Sequence, residues 1–205
     1  MRAPTTSKIE TCMIDLSLPL RLAKPSDARQ LAELVNFAGE GLPEYIWTGM
    51  AKDGEDPWEV GRARQADKAG DGQIVVIDQG KGAIAGLTGY TIGPEPEEIG
   101  DDFPALFRPL QELENQALNS WYVNVLACYP EHRGQGHGGH LLDIADEIGR
   151  AERLTQMSVI VASDNLGARR LYERKGYRET ATAPCVKESW ETATEAWVLL
   201  MKPLD

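Results

Sequence analysis

The spacing of apolar residues changes several times along the chain, and each change predicts an element. Pro19 to Ala23 alternates as a short strand does. Pro25-Ser26-Asp27 then supplies a helix start, and Leu31, Leu34, Val35 and Ala38 give that helix an apolar stripe ended by Gly39 and Gly41. Within 41–70, where Tyr45, Trp47 and Trp58 stand among many charges, the pattern predicts a helix over 58–69. Gln73 to Asp78 and Ala83 to Ile92 read as strands of a β-hairpin joined by Gly-Lys-Gly. Residues 93–102 read as an acidic loop, and Leu106, Phe107, Leu110, Leu113 and Leu118 predict a helix within 103–118. A strand over 121–128, a glycine loop, a helix over 137–153, a strand over 157–162, a helix over 166–175 closed by Gly176 and a strand over 195–202 complete the series. Such an order describes one mixed α/β domain over 17–205, with residues 1–16 a loose tail and 93–118 an insertion before the fourth strand.

The glycine loop carries the chemistry. Arg133-Gly134-Gln135-Gly136-His137-Gly138-Gly139 stands between a strand and a helix. Glycines let the backbone approach a ligand closely, and a helix N-terminus presents N–H groups and partial positive charge, so the stretch reads as a phosphate cradle. Three phosphate motifs compete. A Walker A loop needs Gly-Lys-Ser/Thr at its end, which is lacking. The dinucleotide fingerprint G-x-G-x-x-G is met literally by Gly134, Gly136 and Gly139, which keeps a nicotinamide dinucleotide enzyme among the alternatives. Against it, Tyr129 to Arg133 intervene between strand and glycines, the motif falls late in the chain, and Asp164 is too far on to be the ribose-binding acid.

The third motif is Arg/Gln-x-x-Gly-x-Gly/Ala, met by Arg133, Gly136 and Gly138. Leu126-Ala127-Cys128-Tyr129-Pro130-Glu131-His132 leads into it, and Asn165-Leu166-Gly167-Ala168-Arg169-Arg170-Leu171-Tyr172-Glu173-Arg174-Lys175-Gly176-Tyr177 follows about thirty residues on. Together they resemble the two motifs of the GNAT superfamily of N-acetyltransferases over 120–180. The resemblance implies an α/β fold with a central, mixed, strongly twisted sheet of six to seven strands and helices on both faces. It implies an acetyl group moved from acetyl-CoA to a primary amine by direct attack in a ternary complex. Arg133, Gly134, Gln135, Gly136, His137, Gly138 and Gly139 then hold the pyrophosphate. Leu126, Ala127 and Cys128 align the pantetheine, Asn165 touches it, and Tyr172 is the general acid. For Tyr172 the plain alternative is a helix residue packed on the sheet; for Asn165, a helix cap.

A base for the amine is harder to find. The strands 121–125 and 158–161 carry no carboxylate, which leaves water or a carboxylate from elsewhere, such as Glu40 or Glu44, and keeps a non-catalytic acyl-CoA-binding module as a second alternative. Tyr122 and Asn124 share a strand face and are candidates to line the acceptor site with Glu40 and Tyr45. Core packing is the equal alternative for Trp47 and Trp58.

Net charge of −11 disfavours nucleic acid and suits a cationic acceptor, although many soluble proteins are simply acidic. With no apolar run of spanning length and no leader-like segment at the start, the expectation is a cytoplasmic protein without a membrane role. Cys12, Cys128 and Cys185 suit reduced thiols, and Cys128 has no obvious activating partner. His132, His137 and His140 lack a matching ligand set, so no metal is expected. A homodimer through the final strand or the inserted helix is left open.

Overall fold

The computed structural model describes Ile14 and residues 16–204; the expected tail, with Cys12, lies almost wholly outside them. Among the described residues are seven strands and six α-helices. The strands form one mixed sheet in the order β1-β2-β3-β4-β5-β7-β6. Compactness divides the chain into two units, one reaching to Gly89 and including Val125–Ala145, the other comprising Tyr90–Asn124 and the residues from Asp146 on.

In the first unit β1 (Leu20–Leu22) pairs antiparallel with β2 (Ile74–Asp78), which pairs antiparallel with β3 (Ala83–Ile92), whose residues from Tyr90 on are counted in the second unit. Arg21 clamps the strand end, bonding Asp27 at 2.7 Å and Asp78 at 2.8 Å. Three helices lie between β1 and β2: α1 (Ala28–Ala38), α2 (Leu42–Met50) and α3 (Pro57–Gly70). The sequence signals miss α2, because Gly41 reads as the end of the helix before it. It starts a helix here: Gly41, at φ 85°, is the N-cap residue, and Pro43 sits in the first turn. The equal choice for Trp47 resolves toward packing. It is 3% exposed, and its ring meets that of Trp58 edge-on at 5.5 Å. Glu44 bridges the three helices, accepting from Asn36 Nδ2 on α1 and Trp58 Nε1 on α3, each at 3.2 Å.

In the second unit α4 (Arg108–Glu114) is shorter than expected. The first half of β4 (Ser120–Cys128) runs parallel to β5 (Gln156–Ala162), in a register from Ser120↔Gln156 to Val123↔Val159 that ends there. β7 (Ala196–Pro203) pairs antiparallel with β5 along its length and, on its other side, with β6 (Arg178–Pro184). β6 was not among the expected strands; its largely exposed, polar sequence hides the alternation. Because β7 lies inside the sheet, it has no free edge, and the route to a dimer by strand pairing through it is closed. The helices α5 (His137–Ala151) and α6 (Leu166–Arg174) follow β4 and β5. A buried ion pair joins Lys202 on β7 to Asp146 on α5 at 2.5 Å, with the ammonium also 5.0 Å from the Tyr177 ring centre. No helix among the described residues is long and apolar enough to cross a membrane.

Candidate active site

Immediately after β4 the chain is pinned before it reaches the glycines. Tyr129 N–H donates to the Ile84 carbonyl at 3.0 Å. Its hydroxyl donates to Glu33 on α1 at 2.5 Å, and its ring meets Phe37 edge-on. Pro130–His132 then makes a single 3-10 turn. Arg133 Nε turns back to the Cys128 carbonyl at 3.1 Å, tying the loop to the strand end. Gly134 and Gly136 take φ of 76° and 89°, a left-handed region costly to any residue with a Cβ. A Cβ built on either would meet no atom within 4 Å. The loop therefore needs glycine for its backbone path, and that path leaves an open surface beside it. Gly136 accepts the first helical bond of α5, from His140 N–H at 3.0 Å, so the open surface coincides with a fifteen-residue helix's N-terminus. The first N–H groups of any α-helix lack intrahelical partners, and here they add to the dipole at the loop. His137 Nε2 is buried beside them with no hydrogen-bond partner. An anion of pyrophosphate type fits this donor set.

The other loop and strand residues are placed unevenly. Arg133 and Gln135 are exposed, Gln135 reaching the Glu131 carbonyl at 3.4 Å. Gly138 and Gly139 form the first turn of α5. Leu126 and Cys128 are half-buried and Ala127 is buried. Burial pushes the Cys128 thiol up, so it is a poor nucleophile near neutrality.

Tyr172 belongs to the second unit, where local structure fixes it closely. Asn165 caps α6, its Oδ1 accepting from Ala168 N–H at 3.1 Å. At the other end Tyr177 N–H bonds the Tyr172 carbonyl and Gly176 N–H the Glu173 carbonyl, both at 3.1 Å, with Gly176 at φ 92°. That pair of bonds is a Schellman closure, and its usual apolar contact is here the Tyr172–Tyr177 ring pair, 5.6 Å between centres. The Tyr-x-x-x-Gly-Tyr spacing therefore has a structural reason of its own: it locks the helix turn that carries Tyr172. The side chain is buried, and burial raises its pKa, so the phenol keeps its proton.

Beside it stands a cluster that the sequence reading did not assemble. Tyr122 on β4 is buried, and its ionisation is opposed by burial, then by Glu114 and Tyr172 nearby. The Tyr90 ring on β3 lies 5.1 Å from the Tyr122 ring. Glu114, at the end of α4, is pushed up to about 7 by burial, with Tyr90 opposing the shift and Glu97 adding to it. Glu114 is missing from the sequence candidates. Its one signal was its place next to Leu113 at the edge of an apolar stripe.

The tentative acceptor residues fall in both units. Tyr122 is buried and Asn124 exposed. Glu40, at φ 53° in the turn after α1, and Tyr45, on α2, are half-buried in the first unit. Among the described residues no three His, Cys, Asp or Glu gather as metal ligands, and His132, His137 and His140 stay spread over the loop and helix start.

Comparison with known proteins gives a consistent picture. No curated protein matches the chain. Among solved structures it resembles an N-acetyltransferase from Staphylococcus aureus Mu50, at 13% identity and TM-score 0.61, covering 91% of this chain and 98% of that one. It resembles yncA, a putative acetyltransferase from Salmonella typhimurium solved with its cofactor acetyl-CoA, at 19% identity and TM-score 0.58, covering 91% and 93%. A ribosomal-protein-alanine N-acetyltransferase from Brucella melitensis is similar at 18% identity and TM-score 0.56, covering 90% and 99%. At such identities the likeness is one of fold. The model of the acetyltransferase (GNAT) family matches residues 42–177, the larger part of the sequence including β4, the glycine loop and α6, and the chain belongs to that family.

Proposed function

We propose that this protein transfers an acetyl group from acetyl-CoA to a primary amine, by direct attack with both substrates bound. The observation that carries the reading is the loop at Gly134 and Gly136: two left-handed glycines open to solvent at the N-terminus of α5. Backbone N–H groups there hold the pyrophosphate. The β4–β5 ladder ends at Val123↔Val159, ahead of Leu126–Cys128, and supports a role for that segment's backbone in pairing with the amide-bearing pantetheine. The same place speaks against the dinucleotide alternative, because a 3-10 turn and Arg133 stand between the strand and the first glycine.

Tyr172 supplies the proton that the departing thiolate needs. Its burial has two consequences. The phenol is protonated near neutrality, and a buried phenolate is unfavourable. Tyr172 therefore acts as a relay, giving its proton to sulfur as it recovers one from the attacking nitrogen. The bulk charge of −11 favours cationic acceptors, and the working location is the cytoplasm.

Thiol release from acetyl-CoA, followed over a panel of polyamines, aminoglycosides and N-terminal peptides, tests the assignment. Tyr172→Phe keeps the ring packing and removes only the hydroxyl, so kcat should fall about 100-fold or more. Unchanged turnover would remove Tyr172 as the acid. Tight acetyl-CoA binding without turnover on any amine would favour a binding module instead. Thermal stabilisation by NAD and not by acetyl-CoA would overturn the donor assignment.

A further inference from the structure

Arginine is concentrated in one short stretch of a chain whose net charge is −11: Arg169, Arg170, Arg174 and Arg178. α6 carries the first three and β6 opens on the fourth, all inside one compact unit. Helix and strand together border a surface cavity of about 660 Å³, lined by Arg170, Glu173, Arg174, Arg178 and Glu179. We propose that this cavity binds a small organic phosphate, at a site separate from the glycine loop, none of whose residues lines it. The proposal does not rest on the acetyl-transfer reading above.

The charges around the cavity do not cancel. Arg169 is engaged within the protein: it donates to Glu179 at 2.8 Å and to the Ser163 carbonyl at 3.2 Å, so Glu179 borders the cavity already neutralised. Arg178 Nη1 donates to the Tyr177 carbonyl at 2.8 Å and to the Glu173 carbonyl at 3.2 Å. Those bonds hold its guanidinium in place without supplying an anion. Arg170 and Arg174 have no hydrogen-bond or ion-pair partner among the described residues, and the Glu173 carboxylate has none there either. Three guanidinium groups therefore share the cavity with one unmatched carboxylate. A phosphate monoester, at about −1.5 to −2 near pH 7, balances that excess.

The fold itself asks for only part of this set. A cation in the last turn of a helix is favoured by the dipole, which accounts for Arg174. The two carbonyl bonds account for Arg178. Neither reason covers Arg170, in the middle of α6. It stands one helical turn before Arg174, where like charges repel, and an anion in the cavity relieves that repulsion. All three cations are arginines, whose planar fork donates paired N–H bonds to phosphate oxygens.

The volume lies within the range of small-molecule pockets, about 300–1,000 Å³, and so favours a compact ligand over the broad contact of a folded partner. Glu173 sets a second requirement. It repels a purely anionic ligand and accepts a hydrogen bond from a hydroxyl, which selects a phosphate ester of a polyol over bare phosphate. No bond is made or broken here. Tyr172 is buried whereas Arg170 and Arg174 are exposed, so the ligand meets the solvent side of α6.

The test is calorimetry on the full chain at about 0.15 M salt, where loose surface attraction is screened. The probes are ribose 5-phosphate, glycerol 3-phosphate and inorganic phosphate, with ribose as control, each titrated with and without acetyl-CoA. At least one ester should bind with Kd below about 1 mM, more tightly than inorganic phosphate, and acetyl-CoA should leave that Kd unchanged. Arg170→Gln and Arg174→Gln alter exposed side chains, so both should fold as wild type does and each should weaken the ester about 10- to 100-fold. Arg64→Gln, exposed on α3 and outside the cavity, should change nothing. Glu173→Gln should tighten inorganic phosphate and narrow its gap to the ester. Ester binding that is absent, or that survives unchanged in both arginine variants, overturns the site. Displacement of the ester by acetyl-CoA, or loss of acetyl-CoA affinity in the arginine variants, overturns its separateness and returns these arginines to the donor. Binding of heparin or polyglutamate in place of the esters overturns the small ligand. Ester binding by a chain that ignores acetyl-CoA supports the site while sinking the transfer reading.

Discussion

Gly136→Ala separates the two demands that the glycine loop makes on its sequence. Gly136 has φ 89°, and an added Cβ would touch nothing within 4 Å. The stability cost is therefore backbone strain alone, about 1–2 kcal/mol. At roughly 2–4 °C per kcal/mol for a chain of this size, Tm should fall by about 2–8 °C. Gly80, in the β2–β3 turn, offers a matched control, with φ 91° and the same open surroundings. Gly80→Ala should lose a similar amount of stability. The two variants should differ in donor binding. On the proposed role of the loop, a methyl group at position 136 would intrude on the face that receives phosphate oxygens, and one charge-assisted hydrogen bond lost there is about 1.5–3 kcal/mol. That corresponds to about a 10- to 100-fold weaker Kd for acetyl-CoA in calorimetry, against no change for Gly80→Ala. If Gly136→Ala loses stability as expected but binds acetyl-CoA like wild type, the loop is not the donor cradle. If both variants lose affinity equally, strain alone accounts for the effect.

Two predictions concern the frame around the site. Gly61→Ala would place its Cβ 2.6 Å from the Trp47 ring, whereas Gly49→Ala meets nothing, so chemical denaturation should show a loss of about 1–3 kcal/mol for the first and a small gain for the second. Equal stabilities would mean that Trp47 yields easily. Burial works to raise the Asp27 pKa, but the Arg21 hydrogen bonds, the Lys24 N–H and the Arg21 charge together outweigh it; Arg21 is also the main cause of the lowered Asp78 pKa. Stability from both carboxylates is complete above their unfolded value of about 3.9 and is lost as pH falls through the lower folded values, so Arg21→Gln should flatten the acid side of a Tm–pH curve. An acid slope identical to wild type would place its origin elsewhere.

Much of the fold was legible because its signals are local. The hairpin strands, β4, α5 and α6 show clear apolar periods bounded by glycine or proline, and β3 spans Ala83–Ile92 as read. The glycine loop was legible for the same reason: the role proposed for it lies in consecutive backbone groups. α2 and β6 were not, since a Gly-x-Pro start resembles a turn and an exposed edge strand needs no apolar alternation. Glu114 was illegible for a different reason. Its carboxyl is shifted by burial and by Tyr90 from a distant strand, and no spacing within the chain encodes that.

The outer strand β6 bears on how the protein behaves in crowded solution. An edge strand is an open template for a further strand from another molecule. Here the template is spoiled three times: its register slips between Glu179 and Ala181, it opens on the charged pair Arg178-Glu179, and it closes on Pro184, which has no N–H to donate. Straightening that slip or replacing Pro184 with valine would present a longer regular ladder, and fibrillar or amorphous self-association would become the expected outcome of concentrating the purified protein.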